Sequence, residues 1–374
     1  ELERSLVSRE NEYAKIRLAK YPTAWDLLPV FNPPARVVVA ADLSDKPTPP
    51  AAEEFAPLEI SAAARAGDTA ALIALGEAAY YRYPVQVVHH FDPALRSPEA
   101  AQKYGLWIDP ARGVGGLIRV RLPDGSTPIS YTCATCHVRA ALDGRLEVGL
   151  ANTRFDIGRI TYDHQAAQGY PPSRDLLTWG PGRADVSTPE GTQPIRIPDL
   201  RPTKHLLHLQ HNATVQHTSP TALAIRLETL LVAANGEKHR PPREATLGLA
   251  LYLYTLATPP AATAPPAEPT LARGLAVFAD RCAACHLPPT FTGPPVPLDR
   301  VGADAIGHSK YRGTGSWRVP SLLGVATRGP LLHDASVPNL AALLSDRPAG
   351  APHRFGADLS ETARADLIAY VSSL

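Results

Sequence analysis

The chain has 374 residues, 44% hydrophobic and 20% charged, with a net charge of +1. That length is enough for two domains of ordinary size, each with its own core. The balanced charge excludes the basic field of a nucleic-acid binder, and no apolar run approaches the roughly 18 residues that a membrane-spanning helix needs.

Residues 1–58 read as a Pro-rich wrapping arm, irregular after a first helix over Ser5–Ala19. Asp68–Tyr81 carries the apolar stripe Leu72, Leu75, Ala79 and predicts a helix. In Gly116–Leu122, Leu117, Arg119 and Arg121 alternate with Ile118, Val120 and Leu122, which predicts a strand ending in a Pro-Asp-Gly turn. Glu244–Leu256 has helical spacing, Thr258–Pro269 is a Pro/Ala-rich linker, and Thr270–Arg281 is a further helix. A closing helix runs over Ser360–Leu374, with Asp358 and Glu361 in a capping-box pattern.

The four cysteines fall in two strings, Cys133-Ala-Thr-Cys136-His137 and Cys282-Ala-Ala-Cys285-His286. Two thiols at this spacing add across the two vinyl groups of haem, and the adjacent His ligates the iron. A thioredoxin-like pair or a zinc knuckle does not need His at that position. The sequence therefore predicts two haem c groups, with His137 and His286 as proximal ligands. Covalent haem c is made outside the cytoplasm, so a periplasmic or extracellular location follows. The chain begins at Glu1 and contains no Met, and a removed export signal is the simplest expectation.

The two halves echo each other. Ile197-Pro-Asp-Leu200 matches Val319-Pro-Ser-Leu322, and His211-Asn-Ala-Thr-Val215 matches His333-Asp-Ala-Ser-Val337, both at an offset of 122 residues. Gly76–Tyr80 and Gly274–Phe278 share Gly-x-x-x-aromatic, and His239-Arg240 and His353-Arg354 each precede a helix. The expected fold is mainly α. It has two tandem cytochrome c-like helical domains with long loops, residues 59–257 and 270–374, joined by the linker 258–269. The first carries extra β and loop material.

The stretches Arg273–Phe278, Trp317-Arg-Val-Pro-Ser-Leu322, Gly329–Leu340 and His353–Ser360 carry a resemblance to the bacterial di-haem cytochrome c peroxidase superfamily. That superfamily includes the methylamine-dehydrogenase maturation enzyme and the di-haem rubber oxygenases. The match covers about 105 residues of the second half; residues flanking Cys133–His137 depart from the peroxidase pattern. The resemblance implies that His353 replaces Met as the distal ligand of the second haem. It also implies that His333 stands near that haem without ligating.

Without Met, His/Met ligation is excluded, and His is the remaining strong-field candidate. For the first haem the repeat points to His239. His211, His208, His205 and His217 compete, and His89 and His90 lie within reach upstream. Arg201, Arg240, Arg318 and Arg354 are candidate propionate partners, since a guanidinium meets a carboxylate bidentately. Trp317 is expected beside the second haem or between the haems.

Three functions fit. The first is electron transfer through two His/His haems to redox partner proteins. The second is a peroxidase-like oxidoreductase with one open haem site, with Glu147, Asp156 or Asp163 as distal acid. The third is a subunit of a larger multihaem electron-conducting assembly; a homo-oligomer is a further partner expectation.

Overall fold

The computed structural model describes residues 1–45, 51–88, 90–185, 193–257, 267–302 and 309–374; the side chains of residues 20–24 and 52 lie outside this description. His89 and residues 258–266 of the expected linker also lie outside it. Among the described residues, fourteen α-helices carry the fold and no strand exceeds four residues, so the protein is mainly helical.

The first helical unit is built on the Thr69–Arg82 helix. Asp68 caps it, accepting from the Ala71 amide at 2.8 Å. Its buried stripe, Leu72, Leu75 and Ala79, packs against the Arg243–Thr255 helix, which also meets Pro220–Ala234. The second unit repeats this with two helices, Glu268–Arg281 and Glu361–Ser372. In both, the leading helix crosses its partner at a glycine. A Cβ on Gly76 would stand 1.9 Å from the Gly248 carbonyl oxygen, and one on Gly274 would stand 2.2 Å from that of Asp366. No other residue permits so close a crossing. Four residues on, Tyr80 and Phe278 are fully buried. The 122-residue offset extends to backbone conformation: Gln210 and Leu332 hold φ +65° and +67°, and Ala213 and Ala335 hold +52° and +61°.

Among the described residues, two large apolar cores and a small cluster of Ala35, Ile118 and Val120 lie in the first half, and one core lies in the second. Leu72, Leu75, Leu249 and Leu253 belong to the first core; Phe91, Leu117, Phe155 and Ile160 to the next. Phe278, Phe291, Leu367 and Val371 belong to the core of the second half. Fully burying each such side chain contributes roughly 1.5–3 kcal/mol.

The extra β material is a four-stranded antiparallel sheet in the order Ala35–Val37, Leu117–Val120, Ile129–Tyr131, Gln86–Val88. The Pro-Asp-Gly turn joins its two central strands, with Gly125 at φ +84°. One edge strand comes from the N-terminal arm, which is therefore less irregular than its composition suggested. The first helix also differs from expectation, running over Glu12–Ala24 rather than Ser5–Ala19. Asn11 starts it by accepting from the Ala14 amide at 2.9 Å, a capping signal overlooked beside the apolar residues upstream. The arm then bridges the halves: the amides of Glu12 and Tyr13 donate to the carbonyls of Lys310 and Tyr311. At the C-terminus, Ser360 rather than Asp358 is the cap, accepting from Ala363; Asp358 instead pairs with Arg281 at 3.0 Å. The helix expected over Thr270–Arg281 begins at Glu268, with Pro269 in its first turn.

Candidate haem-binding sites

The sheet delivers the first Cys-x-x-Cys-His motif. Strand Ile129–Tyr131 passes through Thr132 into a single helical stretch, Cys133–His137. The hydroxyls of Thr132 and Thr135 both donate to the Gly116 carbonyl, at 2.8 and 3.1 Å. Cys133 faces the first core and Cys136 the second; burial pushes both thiols up to about 12. The His137 ring is held from behind. Its Nδ1 lies 2.9 Å from the Pro198 carbonyl oxygen, which only accepts, so Nδ1 carries the proton and the Nε2 lone pair is free for a metal. Burial lowers its pKa to about 4, keeping the ring neutral. The Tyr80 hydroxyl donates to the His137 carbonyl at 2.7 Å.

The second motif is built alike. His286 Nδ1 donates to the Phe291 carbonyl at 3.1 Å, and the Pro320 carbonyl also acts on the ring. Pro198 and Pro320 are equivalent in the 122-residue repeat, so the matching Pro-x-Leu strings serve to hold the proximal His. The surroundings differ. Ala134 and Thr135 are sealed at 0% exposure, whereas Ala284, Leu287, Pro288 and Pro289 are open to solvent.

Beside His286 lies a cavity of about 260 Å³ lined by Cys282, Cys285, His353, Trp317, Arg318 and His333, with Arg196, His211, Arg300 and Arg328 also in its wall. The rings of His286 and His353 have centroids 6.5 Å apart. Two metal–imidazole bonds of about 2.0 Å, plus about 1.1 Å from each nitrogen to its ring centre, require roughly 6.2 Å. The pair is therefore spaced for one metal ion between two nitrogens. Burial lowers the His353 pKa to about 4, and its Nδ1 has no hydrogen-bond partner. Its backbone is left-handed, φ +58°, a conformation a non-glycine residue keeps only where its surroundings fix it.

The residues fit haem at this site: two thiols, a neutral imidazole on each side, and apolar walls. Burial pushes Arg318 and Arg328 down to about 10, and Arg318 Nε has no hydrogen-bond partner, which suits a propionate. Arg354 does not join them; it pairs with Asp346 at 3.4 Å on the surface. Trp317 stacks on His333 at 4.8 Å and donates to the Gly302 carbonyl. Arg196 and Arg328 were missed from sequence. The offset of 122 that pairs Arg196 with Arg318 offered a signal for the first; none pointed to the second.

His211 and His333 form another pair 6.5 Å apart, on the arginine side of the cavity, and neither adjoins a cysteine. The other candidates lie elsewhere. His239 stacks on Phe31 at 4.0 Å and lacks the left-handed backbone of His353. His217 spends both nitrogens, on the Leu206 carbonyl and the Tyr254 hydroxyl. His208 Nδ1 is buried without a partner, burial lowers the pKa of His205, and His90 stacks on Phe91. Arg201 donates to the Val148 carbonyl at 2.7 Å, and the Arg240 Nε is buried without a partner. The three acids have structural partners: Glu147 pairs with Arg139, Asp156 caps the Ile157–Ala167 helix, and Asp163 takes the Tyr104 hydroxyl and Arg159.

No family model and no curated protein sequence matches the chain. Solved structures similar to it include a MauG-like protein associated with microbial copper homeostasis, at 17% identity over 52% of this chain and 78% of that one, TM-score 0.37. Hydrazine synthase of Kuenenia stuttgartiensis is similar at 14% identity over 49% and 73%, TM-score 0.35. The di-haem peroxidase BthA of Burkholderia thailandensis is similar at 17% identity over 93% and 94%, TM-score 0.36.

Proposed function

We propose that the chain is a di-haem c-type cytochrome that moves electrons outside the cytoplasm, built from two tandem cytochrome c-like domains, residues 59–257 and 270–374. The observation that carries this reading is His353 facing His286 at 6.5 Å beside the Cys282 and Cys285 thiols. Bound there, haem iron supplies one-electron ferric/ferrous chemistry, at a lower potential than His/Met ligation gives. The chain's residues do the rest. Cys282 and Cys285 would tether the porphyrin, His286 and His353 would hold its iron, and Arg318 would pair with a propionate. The Arg196–Asp199 segment links the two sites, because the Pro198 carbonyl holds His137 while Arg196 lines the second cavity. The solvent-open edge at Ala284 and Leu287 suits exchange with a redox partner protein or a neighbouring haem subunit.

One observation favours a second reading, a peroxidase-like oxidoreductase. Among the described residues, no His ring faces His137 as His353 faces His286. A haem held there by His137 would then be open to a small ligand. The two readings separate in one experiment. The holoprotein, reduced by one electron per haem, is mixed with hydrogen peroxide and followed by absorbance. A carrier re-oxidises slowly and without turnover. Sustained consumption of peroxide with a reduced donor establishes the oxidoreductase instead.

A further inference from the structure

The inserted sheet carries a second polar pocket, away from both Cys-x-x-Cys-His motifs. It is about 450 Å³, within the range of small-molecule sites, and is lined by Arg119, Asp92, His164, Thr127, Gln168 and Tyr170 over a floor of Val88 and Ile129. Strand register places Arg36 directly opposite Arg119, an unfavourable like-charge pair. Arg36 is compensated by Asp42 at 2.7 Å and Glu54 at 2.6 Å. Arg119 has no such close pair. Its one hydrogen bond is a long contact, 3.4 Å, to the Thr127 carbonyl. Its Nε is buried with no hydrogen-bond partner, and Asp42 and Asp92 act on its charge only from a distance. A guanidinium fixed on a strand, facing a pocket and lacking a hydrogen-bonded carboxylate, calls for a planar, bidentate acceptor. On the other wall, His164 Nδ1 stands 3.6 Å from the Asp92 carboxylate, which offers donor and acceptor groups to a ligand's far end.

We infer that this pocket binds a small organic carboxylate, with its carboxyl group on Arg119 and its other end between His164 and Asp92.

Calorimetric titration of the holoprotein with glutarate and with L-glutamate, against chloride at equal ionic strength, tests this. Saturable heat is expected with a carboxylate and not with chloride. Arg119→Gln should weaken it about tenfold or more, as expected on losing a charge-assisted hydrogen bond. Arg121→Gln, an exposed neighbour, should leave it unchanged. Should Arg119→Gln misfold, His164→Gln at the opposite wall gives the same reading, with weaker binding of both carboxylates. Absence of saturable heat with either carboxylate at millimolar concentration overturns the inference. So does equal affinity in wild type and in both pocket variants.

Discussion

His353 keeps a left-handed backbone while its imidazole stands 6.5 Å from that of His286. Glycine adopts this φ without strain, so His353→Gly removes the side chain and leaves the loop its conformation. The expected result is a second haem turned from low-spin to high-spin, with the low-spin spectrum restored by added imidazole. Visible spectra of the oxidised protein check this. An unchanged spectrum would mean that another group fills the position.

Both helix crossings are closed at a glycine. Gly274→Ala and Gly76→Ala each bring a methyl group against a carbonyl, so each should destabilise by about 2 kcal/mol or more, despite the better helix propensity of Ala. Neither glycine has a positive φ, so the methyl contact alone is tested. Urea unfolding measures both variants against wild type. Equal midpoints for Gly274→Ala and wild type would show that the helices can part at little cost.

Tyr13 is 1% exposed and sits among three guanidinium groups, with Arg17 Cζ 3.4 Å from its ring centre, Arg312 at 5.1 Å and Arg226 at 5.8 Å. Burial alone would raise its pKa, but Arg226, Arg17 and Arg312 outweigh it and hold the phenol below its ordinary value. Burial raises Tyr80, Tyr83, Tyr131 and Tyr252 instead. Of thirteen tyrosines, one should therefore ionise ahead of the others, and Tyr13→Phe should abolish that early phase of ultraviolet absorbance. Because the folded pKa is depressed, the ionised group contributes stability in full above the unfolded value of about 10, and loses it as pH falls through the folded pKa. The stability gap between wild type and Tyr13→Phe should accordingly widen as pH rises through that window.

Arg318 faces the second cavity with no carboxylate of its own within ion-pair distance among the described residues. Removing its charge should favour the ferric state. Arg318→Gln is expected to lower the second haem's potential by on the order of tens of millivolts, read by spectroelectrochemistry. No shift would place the propionates elsewhere.

Much of this was legible in the chain, for identifiable reasons. The Cys-x-x-Cys-His strings, the helix stripes and the Pro-Asp-Gly hairpin are local signals. The repeat was visible because Pro198 and Pro320, and Gly76 and Gly274, keep their geometric tasks in both halves. What was not legible depends on tertiary placement. Arg354 precedes its helix in an arrangement that suits a propionate, yet turns to Asp346. His239 holds the position that the repeat assigned to a ligand, but Phe31 from the arm covers its ring. The Asn11 cap, the arm's strand and the place of Arg328 all rest on contacts between residues far apart in sequence.

The central claim is nitrogen ligation of the second iron from both faces. Its most direct test is low-temperature electron paramagnetic resonance of oxidised Cys133→Ser/Cys136→Ser protein, in which only the second haem can be tethered. A low-spin ferric signal typical of two imidazole ligands is expected. A high-spin signal from that single haem would contradict it.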